Sequence, residues 1–245
     1  MSVILAIDQS TSATKGLLFS TDGKLLARSD VPHKQIVNDK GWVEHNPTEI
    51  YDNTIKAACD VILAAGIDAG EISCIGISNQ RETSVCWHRA SGKPLYNAIV
   101  WQCARAVDIT KRIESAGLAE TVKNRTGLTL SPFFSAAKYG WMIENIPEVI
   151  SAKQSDNLCC GTIDSWLLYK LTGDFKTDYT NASRTQLLNL HTLEWDQELA
   201  GTFGLDIESL PELCFSDSSF GLTDLNGLLP SPIPIHGVLG DSHAA

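Results

Sequence analysis

The stretch Val3-Ile4-Leu5-Ala6-Ile7-Asp8-Gln9-Ser10-Thr11-Ser12-Ala13-Thr14-Lys15-Gly16-Leu17-Leu18-Phe19-Ser20-Thr21-Asp22-Gly23-Lys24 decides the fold class. Val3 to Ile7 is an unbroken apolar run, the pattern of a strand covered on both faces. Asp8 to Lys15 reads as a polar loop and Gly16 to Ser20 as a second strand. Thr21 to Lys24 carries the Asp-Gly hairpin signal, and Lys24 to Val31 is a third strand. The chain therefore opens with three antiparallel strands in a meander.

Working outward, residues 32–45 read as loop. Asn46-Pro47-Thr48-Glu49 is a helix start, with Asn as N-cap, Pro at the first helical position and Glu three residues after the cap. The helix is predicted to reach about Ala65, with Ile50, Ile55, Ala58 and Ile62 inward. Ile72 to Ile77 and Thr83 to Trp87 read as strands, Ser91 to Pro94 as a turn, and Ala98 to Trp101 as a short strand. Helical pieces are predicted near 103–115, 134–145 and 162–171. Ile233 to Leu239 returns to strand and ends at Gly240-Asp241. This alternation predicts an α/β fold with a mixed sheet. The final Asp241-Ser242-His243-Ala244-Ala245 resembles the beginning of a helix, so a chain that continues is the expectation.

With 245 residues, 43% apolar and 20% charged, the protein is long enough to bury a core without disulfides. No apolar run reaches the roughly 18 residues that span a bilayer. Met1 to Asp8 lacks the basic start of a secretory signal. Nineteen basic against 29 acidic residues give a net charge of −10, which argues against non-specific binding to nucleic acid or anionic membranes. The seven cysteines, Cys59, Cys74, Cys86, Cys103, Cys159, Cys160 and Cys214, contain no C-x-x-C pair and read as reduced thiols of a cytoplasmic protein. No HExxH pattern points to zinc.

Four segments carry candidate chemistry. Asp8 to Lys15 sets an acid, several hydroxyls and a cation after a buried strand. Turn N–H groups, hydroxyls and Lys15 can bind an anion, and Asp8 can hold a hydrated Mg²⁺ against phosphate oxygens; a polar hairpin turn has the same composition. In Asn79-Gln80-Arg81-Glu82-Thr83, neighbouring side chains of a regular strand would point to opposite faces. If Arg81 and Glu82 serve one site, the backbone there must leave extended geometry; otherwise they form a surface ion pair. Trp101 can pack on the carbon chain of a small polar ligand or belong to the core. Asp241, after Gly240 at a strand end, can be a general base or a helix cap. G-x-x-x-x-G-K-[ST] and G-x-G-x-x-G are both missing, which excludes P-loop and Rossmann phosphate sites.

Taken in order, these segments and the runs Gly41-Trp42-Val43-Glu44-His45-Asn46-Pro47, Gly92-Lys93-Pro94-Leu95-Tyr96-Asn97-Ala98-Ile99-Val100-Trp101-Gln102-Cys103, Asp178-Tyr179-Thr180-Asn181-Ala182-Ser183-Arg184-Thr185 and Gly240-Asp241 resemble the N-terminal half of the FGGY carbohydrate kinase family, in the branch that phosphorylates glycerol. The resemblance implies an actin/hexokinase-like, ribonuclease-H-like domain with a mixed five-stranded sheet flanked by helices. Residues 1–245 would form one substrate-binding domain, with a C-terminal nucleotide domain beyond it. It implies ATP and Mg²⁺ as cofactors and a small polyol or sugar as partner. It leaves a homo-oligomer open.

By the same resemblance, Asp241 is the base and Asp8 the Mg²⁺-associated acid, acting on the ion through water. Ser10, Thr11, Ser12, Thr14 and Lys15 face the transferred phosphate. Arg81, Glu82, Trp101, Phe133, Asp241 and Ser242 hold the substrate. Glycerol-phosphorylating members usually have Gly and Arg where this chain has Ser10 and Lys15. They have a substrate-contacting Tyr where Phe133 stands, and a Gln-Gln pair where Ser242-His243 stand. The departures at Phe133 and Ser242 open one alternative, a longer sugar alcohol or ketose as substrate. A second, a non-catalytic actin-like binding fragment, stays open because the resemblance covers only half of the cleft. The isolated fragment is expected to fold without phosphorylating.

Overall fold

The computed structural model describes residues 2–245. The expected meander forms as β1 (Val3–Gln9), β2 (Ala13–Ser20) and β3 (Leu25–Pro32), each pair antiparallel. β1 also pairs in parallel with the strand Ile72–Asn79, which pairs in parallel with Ile233–Gly240. These make five strands, the number expected. A sixth, Leu222–Thr223, adds to the outer edge against Ile233 and Pro234, giving a sheet of six. The correction is physical: a two-residue pairing opposite a proline, which donates no ladder hydrogen bond, leaves no periodic signal.

The polar loop is also shorter than expected. β1 runs on to Gln9 and β2 begins at Ala13, with Asp8 opposite Lys15. Each residue's polar head lies on the half-exposed face of the sheet while alternate residues are buried, so polarity at these positions does not end the strand.

Helix α1 (Pro47–Ala65) begins as the sequence predicts. Asn46 Oδ1 accepts the Thr48 and Glu49 N–H groups, and Gly66 at φ 64° ends the helix. The Glu49 carboxylate accepts the Lys34 N–H. Ile50, Ala58 and Ile62 are buried and Ile55 is partly so. A Cβ on Gly16 would stand 2.5 Å from Ala57 O, so α1 lies on β2 at a distance only glycine allows.

The segment between Asn79 and Ile233 builds a second core. The strand Val85–His88 leaves the central sheet and pairs antiparallel with Leu158–Gly161. Ala98–Ile99 pairs with Val43–His45, so the expected loop 32–45 in fact carries two strands, Ile36–Val37 and Val43–His45. The predicted helices form at Val107–Ser115, Ser135–Asn145 and Ile163–Thr172. Those at Ala119–Thr126 and Pro147–Gln154 went unread, being short and weakly amphipathic. One apolar cluster fills the space under the sheet, around Leu5, Ile50, Ile77 and Trp166. The other gathers Ile99, Ala137, Tyr139 and Met142. All seven cysteines are free. Among the described residues no helix is long and apolar enough to cross a membrane.

Candidate active site

β1, Ile72–Asn79 and Ile233–Gly240 run parallel and end side by side, at Gln9, Asn79 and Gly240. Parallel sheets commonly place their sites at such strand ends. A cleft of about 220 Å³ opens there, lined by Thr11, Gln80, Arg81, Glu82, Trp101, Phe133, Asp241 and Ser242. All six residues expected to hold substrate are among them. A larger hollow, about 530 Å³, lies elsewhere around Arg89, Lys153 and Glu208. There Arg89 and Lys153 already donate to the carbonyls of Leu158, Glu208 and Gly204.

Arg81 and Glu82 share the cleft because the backbone leaves extended geometry between them. Glu82 sits at φ 59°, and the Thr83 N–H donates to Arg81 O at 2.7 Å, closing a three-residue turn. Such a conformation in a non-glycine residue costs about 1–3 kcal/mol and persists only when its surroundings hold it. Here the Glu82 carbonyl accepts the hydroxyls of Ser84 and Ser135, both at 3.2 Å. Its carboxylate, nearly buried, accepts Arg184 Nε at 2.7 Å. The Arg184 guanidinium in turn covers the Phe134 ring at 4.9 Å.

Arg81 reaches across the strand ends. Its Nη2 donates to Ser242 Oγ at 2.7 Å, and its Nε stands 3.3 Å from Asp241 Oδ1, an ion pair without hydrogen-bond alignment. A Cβ on Gly240 would fall 2.3 Å from Arg81 Cδ. Gly240 therefore permits the close approach of the Arg81 side chain. Asp241 opens the short final helix, with Gly240 as N-cap, and its side chain is 45% exposed. It accepts the Ser242 N–H at 2.7 Å.

On the hairpin, Lys15 Nζ bonds Asp8 Oδ2 at 2.6 Å, both partly exposed. Ser10 N–H and Oγ both donate to Ala13 O at 2.9 Å, which closes the turn. Thr11 Oγ1 accepts the Trp101 indole N–H at 3.1 Å, so the hairpin tip and the cleft wall are joined directly. Ser12 is exposed. Thr14 stands apart: it is fully buried on the opposite face of β2 from Lys15, and the structure does not bring it to the cleft. Trp101 is half-buried, its ring 5.5 Å from that of Phe133.

Several functional supports went unread in the sequence. His33 lies beside Thr11 O at 2.9 Å and packs its ring on His45 at 4.5 Å. Burial holds the His33 ring below the usual range and pushes His45 down to about 3, the neighbouring His33 adding to the latter. Gln80 ties the cleft to the hairpin through Gln9 Oε1 at 3.0 Å. Asn181 and Asn79 exchange amide hydrogen bonds at 2.9 and 3.1 Å, while Thr180 Oγ1 accepts the Gly240 N–H at 2.8 Å. Asp178 holds that pair through Thr180 Oγ1 and Asn181 N–H. One short segment thus fixes the two strand ends that carry Arg81 and Asp241. The run Asp178–Thr185 was visible as a motif, but nothing in it says what it touches.

The family model described as FGGY family of carbohydrate kinases, N-terminal domain, matches residues 3–245. Glycerol kinase 1 of Thermotoga maritima is 49% identical over 99% of this chain, and glycerol kinase of Haloferax volcanii 44% identical over 98%; each match covers 49% of the relative. The solved glycerol kinase of Plasmodium falciparum with ADP superposes with a TM-score of 0.92 at 35% identity, over 100% of this chain and 49% of that one. A gluconate kinase from Lactobacillus acidophilus superposes at 0.88 with 27% identity, over 99% and 48%. The chain spans about half the length of the relatives it matches. A parallel strand-end cleft with the expected residues around it, and a family match over nearly every residue, mean that this chain belongs to the FGGY family of carbohydrate kinases.

Proposed function

We propose that this chain is the acceptor-binding half of an ATP-dependent polyol kinase that converts glycerol to glycerol 3-phosphate. The observation that carries the reading is the cleft itself, which gathers Arg81, Glu82, Trp101 and Asp241 beside the hairpin tip at Thr11. Its volume lies below the roughly 300 Å³ at which drug-sized pockets begin, which suits an acceptor of few heavy atoms. The relatives named glycerol kinase support glycerol among such acceptors.

In this reading Arg81 donates to acceptor hydroxyls, the Glu82 carboxylate accepts from them, and the Trp101 face meets the carbon chain. Asp241 takes the proton of the attacking hydroxyl, whose oxygen forms the new bond to phosphorus as ADP leaves. Thr11, Ser12 and Lys15 face the transferred phosphoryl group. The work is positioning and charge stabilisation. Asp8 fits the role of a water-mediated Mg²⁺ contact, since it is a single, partly exposed carboxylate near the end of β1, the strand that ends at the cleft. Bound Mg²⁺ would neutralise charge on the phosphates. The adenine site belongs to a further domain, and the free cysteines suit the cytoplasm.

One observation favours a second acceptor, a longer sugar alcohol or ketose. Phe133 offers no hydrogen bond, and Ser242 Oγ is already engaged by Arg81. The test is ADP release by the full-length protein against a panel of polyols and ketoses. Glycerol-dependent release, abolished by Asp241→Asn, is expected. Release with a longer acceptor and none with glycerol would replace the substrate, and no release with any would end the kinase reading.

A further inference from the structure

Behind the cleft wall lies a buried cation that the proposed chemistry does not use. Lys138 is fully buried in the first turns of the helix Ser135–Asn145. Its ammonium bends back over the helix start. It donates to Pro132 O at 3.0 Å, to Phe133 O, and to Phe134 O at 3.3 Å. An ammonium has three donors, and all three go to consecutive carbonyls of one loop. Contrast Arg105, also buried, whose Nη1 meets the Glu44 carboxylate at 2.5 Å. Helix stability does not explain Lys138, because the N-terminal end of a helix disfavours positive charge. Phe134, the N-cap, supplies no side-chain cap either. What the three bonds do is fix the backbone that carries Phe133. That ring stands against Trp101 at 5.5 Å and against Phe134 at 5.2 Å.

We propose that Lys138 is a positioning residue of the acceptor cleft: its ammonium, held by the carbonyls of Pro132, Phe133 and Phe134, locks the Phe133 ring against Trp101 and so sets the apolar wall that the acceptor's carbon chain meets. The inference rests on the reading of the cleft as an acceptor site. It also carries a pH dependence. Burial pushes the Lys138 ammonium down to about 7; Glu82 and Cys103 oppose that shift and Arg105 adds to it. Arg184, bonded to Glu82 and stacked over Phe134, is a further charge beside this wall, and Arg81 and Asp241 line the same cleft. Above that pH the neutral amine keeps two donors for three carbonyls, and the loop loosens.

The test uses the full-length protein. Lys138→Met fills a similar volume and offers the carbonyls nothing. It should raise the glycerol KM about tenfold, the upper end for a lost hydrogen-bonding arrangement, while kcat holds within about twofold. The wild-type KM should climb from about pH 6 to about pH 9, and the variant's should not. In a Phe133→Ala background, Lys138→Met should add nothing, because both changes act through one ring. Additive effects there, or a fall in kcat equal to the rise in KM, would overturn the assignment.

A readout without substrate separates this inference from the kinase reading. The Trp101 indole N–H resonance, identified by its loss in Trp101→Phe, should titrate in the wild type across the same pH range. In Lys138→Met it should be displaced and insensitive to pH. If the wild type releases no ADP with any polyol, the kinase reading fails and this resonance alone decides. If Lys138→Met does not fold, the wild-type titration decides. A resonance indifferent to pH overturns the proposal in either case.

Discussion

Glu82 and Asp241 stand on either side of Arg81, and their surroundings are opposite. Glu82 belongs to the floor of the cleft. It is nearly buried, sits at φ 59°, and is held by Arg184, Ser84 and Ser135. Asp241 belongs to the rim, 45% exposed, with its strongest hydrogen bond to the next residue's N–H. The floor is preorganised and strained, and stability depends on it. The rim is open and contributes little to folding. A floor of this kind fixes where an acceptor lies, and a rim of this kind leaves a carboxylate free to take up a proton. Strain collected at the floor follows the general pattern in which local rules are broken at functional sites and offset by the surroundings.

The largest expected effect lies on the rim. Asp241→Asn in the full-length protein should lower kcat by about 10²–10⁴-fold, the usual contribution of a general base, and leave the urea midpoint unchanged. The isolated 245-residue chain should fold and show no polyol-dependent ADP release, because closure by a second domain completes sites of this type. A variant at Asp241 with near-normal turnover would remove the contrast between rim and floor.

On the floor the effect should be on stability. Arg184→Met leaves the Glu82 carboxylate buried and unpaired, at a cost of about 2–4 kcal/mol, reduced from the fully buried case because Arg184 is 28% exposed. Chemical denaturation measures this directly. Glu82→Gly, by contrast, relieves the strained φ and should hold or raise stability while polyol affinity collapses. Equal losses of stability for Arg184→Met and Asp241→Asn would show that floor and rim are not opposites.

A third effect is smaller and depends on pH. His33 and His45, which support the hairpin tip, are buried, and burial favours their neutral rings. The unfolded chain takes up protons near pH ~6.5, whereas folded His45 does so only at about 3. Stability from this source is complete above pH ~6.5 and falls with pH below it, by at most about 1.4 kcal/mol per pH unit for His45. Denaturation midpoints measured from neutral to acid pH should show the slope, and His45→Gln should flatten it.

The smallest effect concerns specificity at the rim. Phe133→Tyr with Ser242→Gln adds hydrogen-bonding groups around the acceptor. The glycerol KM should fall about two- to tenfold, the value of one neutral hydrogen bond of roughly 0.5–1.5 kcal/mol. An unchanged KM, with no longer polyol phosphorylated by the wild type, would show that these two positions do not shape acceptor choice.

Local chemistry in the sequence was enough to determine the meander, α1 and the existence of strands at 72 and 233, because apolar periodicity, an Asp-Gly turn and an Asn-Pro cap each act within a few residues. It was also enough to require that the chain depart from extended geometry if Arg81 and Glu82 served one cleft, since side-chain alternation in a strand is a local rule. Only the tertiary structure decided what lies across from what. Thr14 looked equivalent to Thr11 by composition, yet strand alternation in the paired hairpin turned it to the buried face. Arg184, Asn181 and Lys138 gave no sign of their tasks, because their partners Glu82, Asn79 and Pro132–Phe134 meet them through packing. The Glu82 and Asn79 pairings each span 102 residues of chain. The sixth strand, too, exists only as an edge pairing of two residues. A hydrogen bond between distant residues depends on the positions of both partners, and a single sequence states only what each residue can donate or accept.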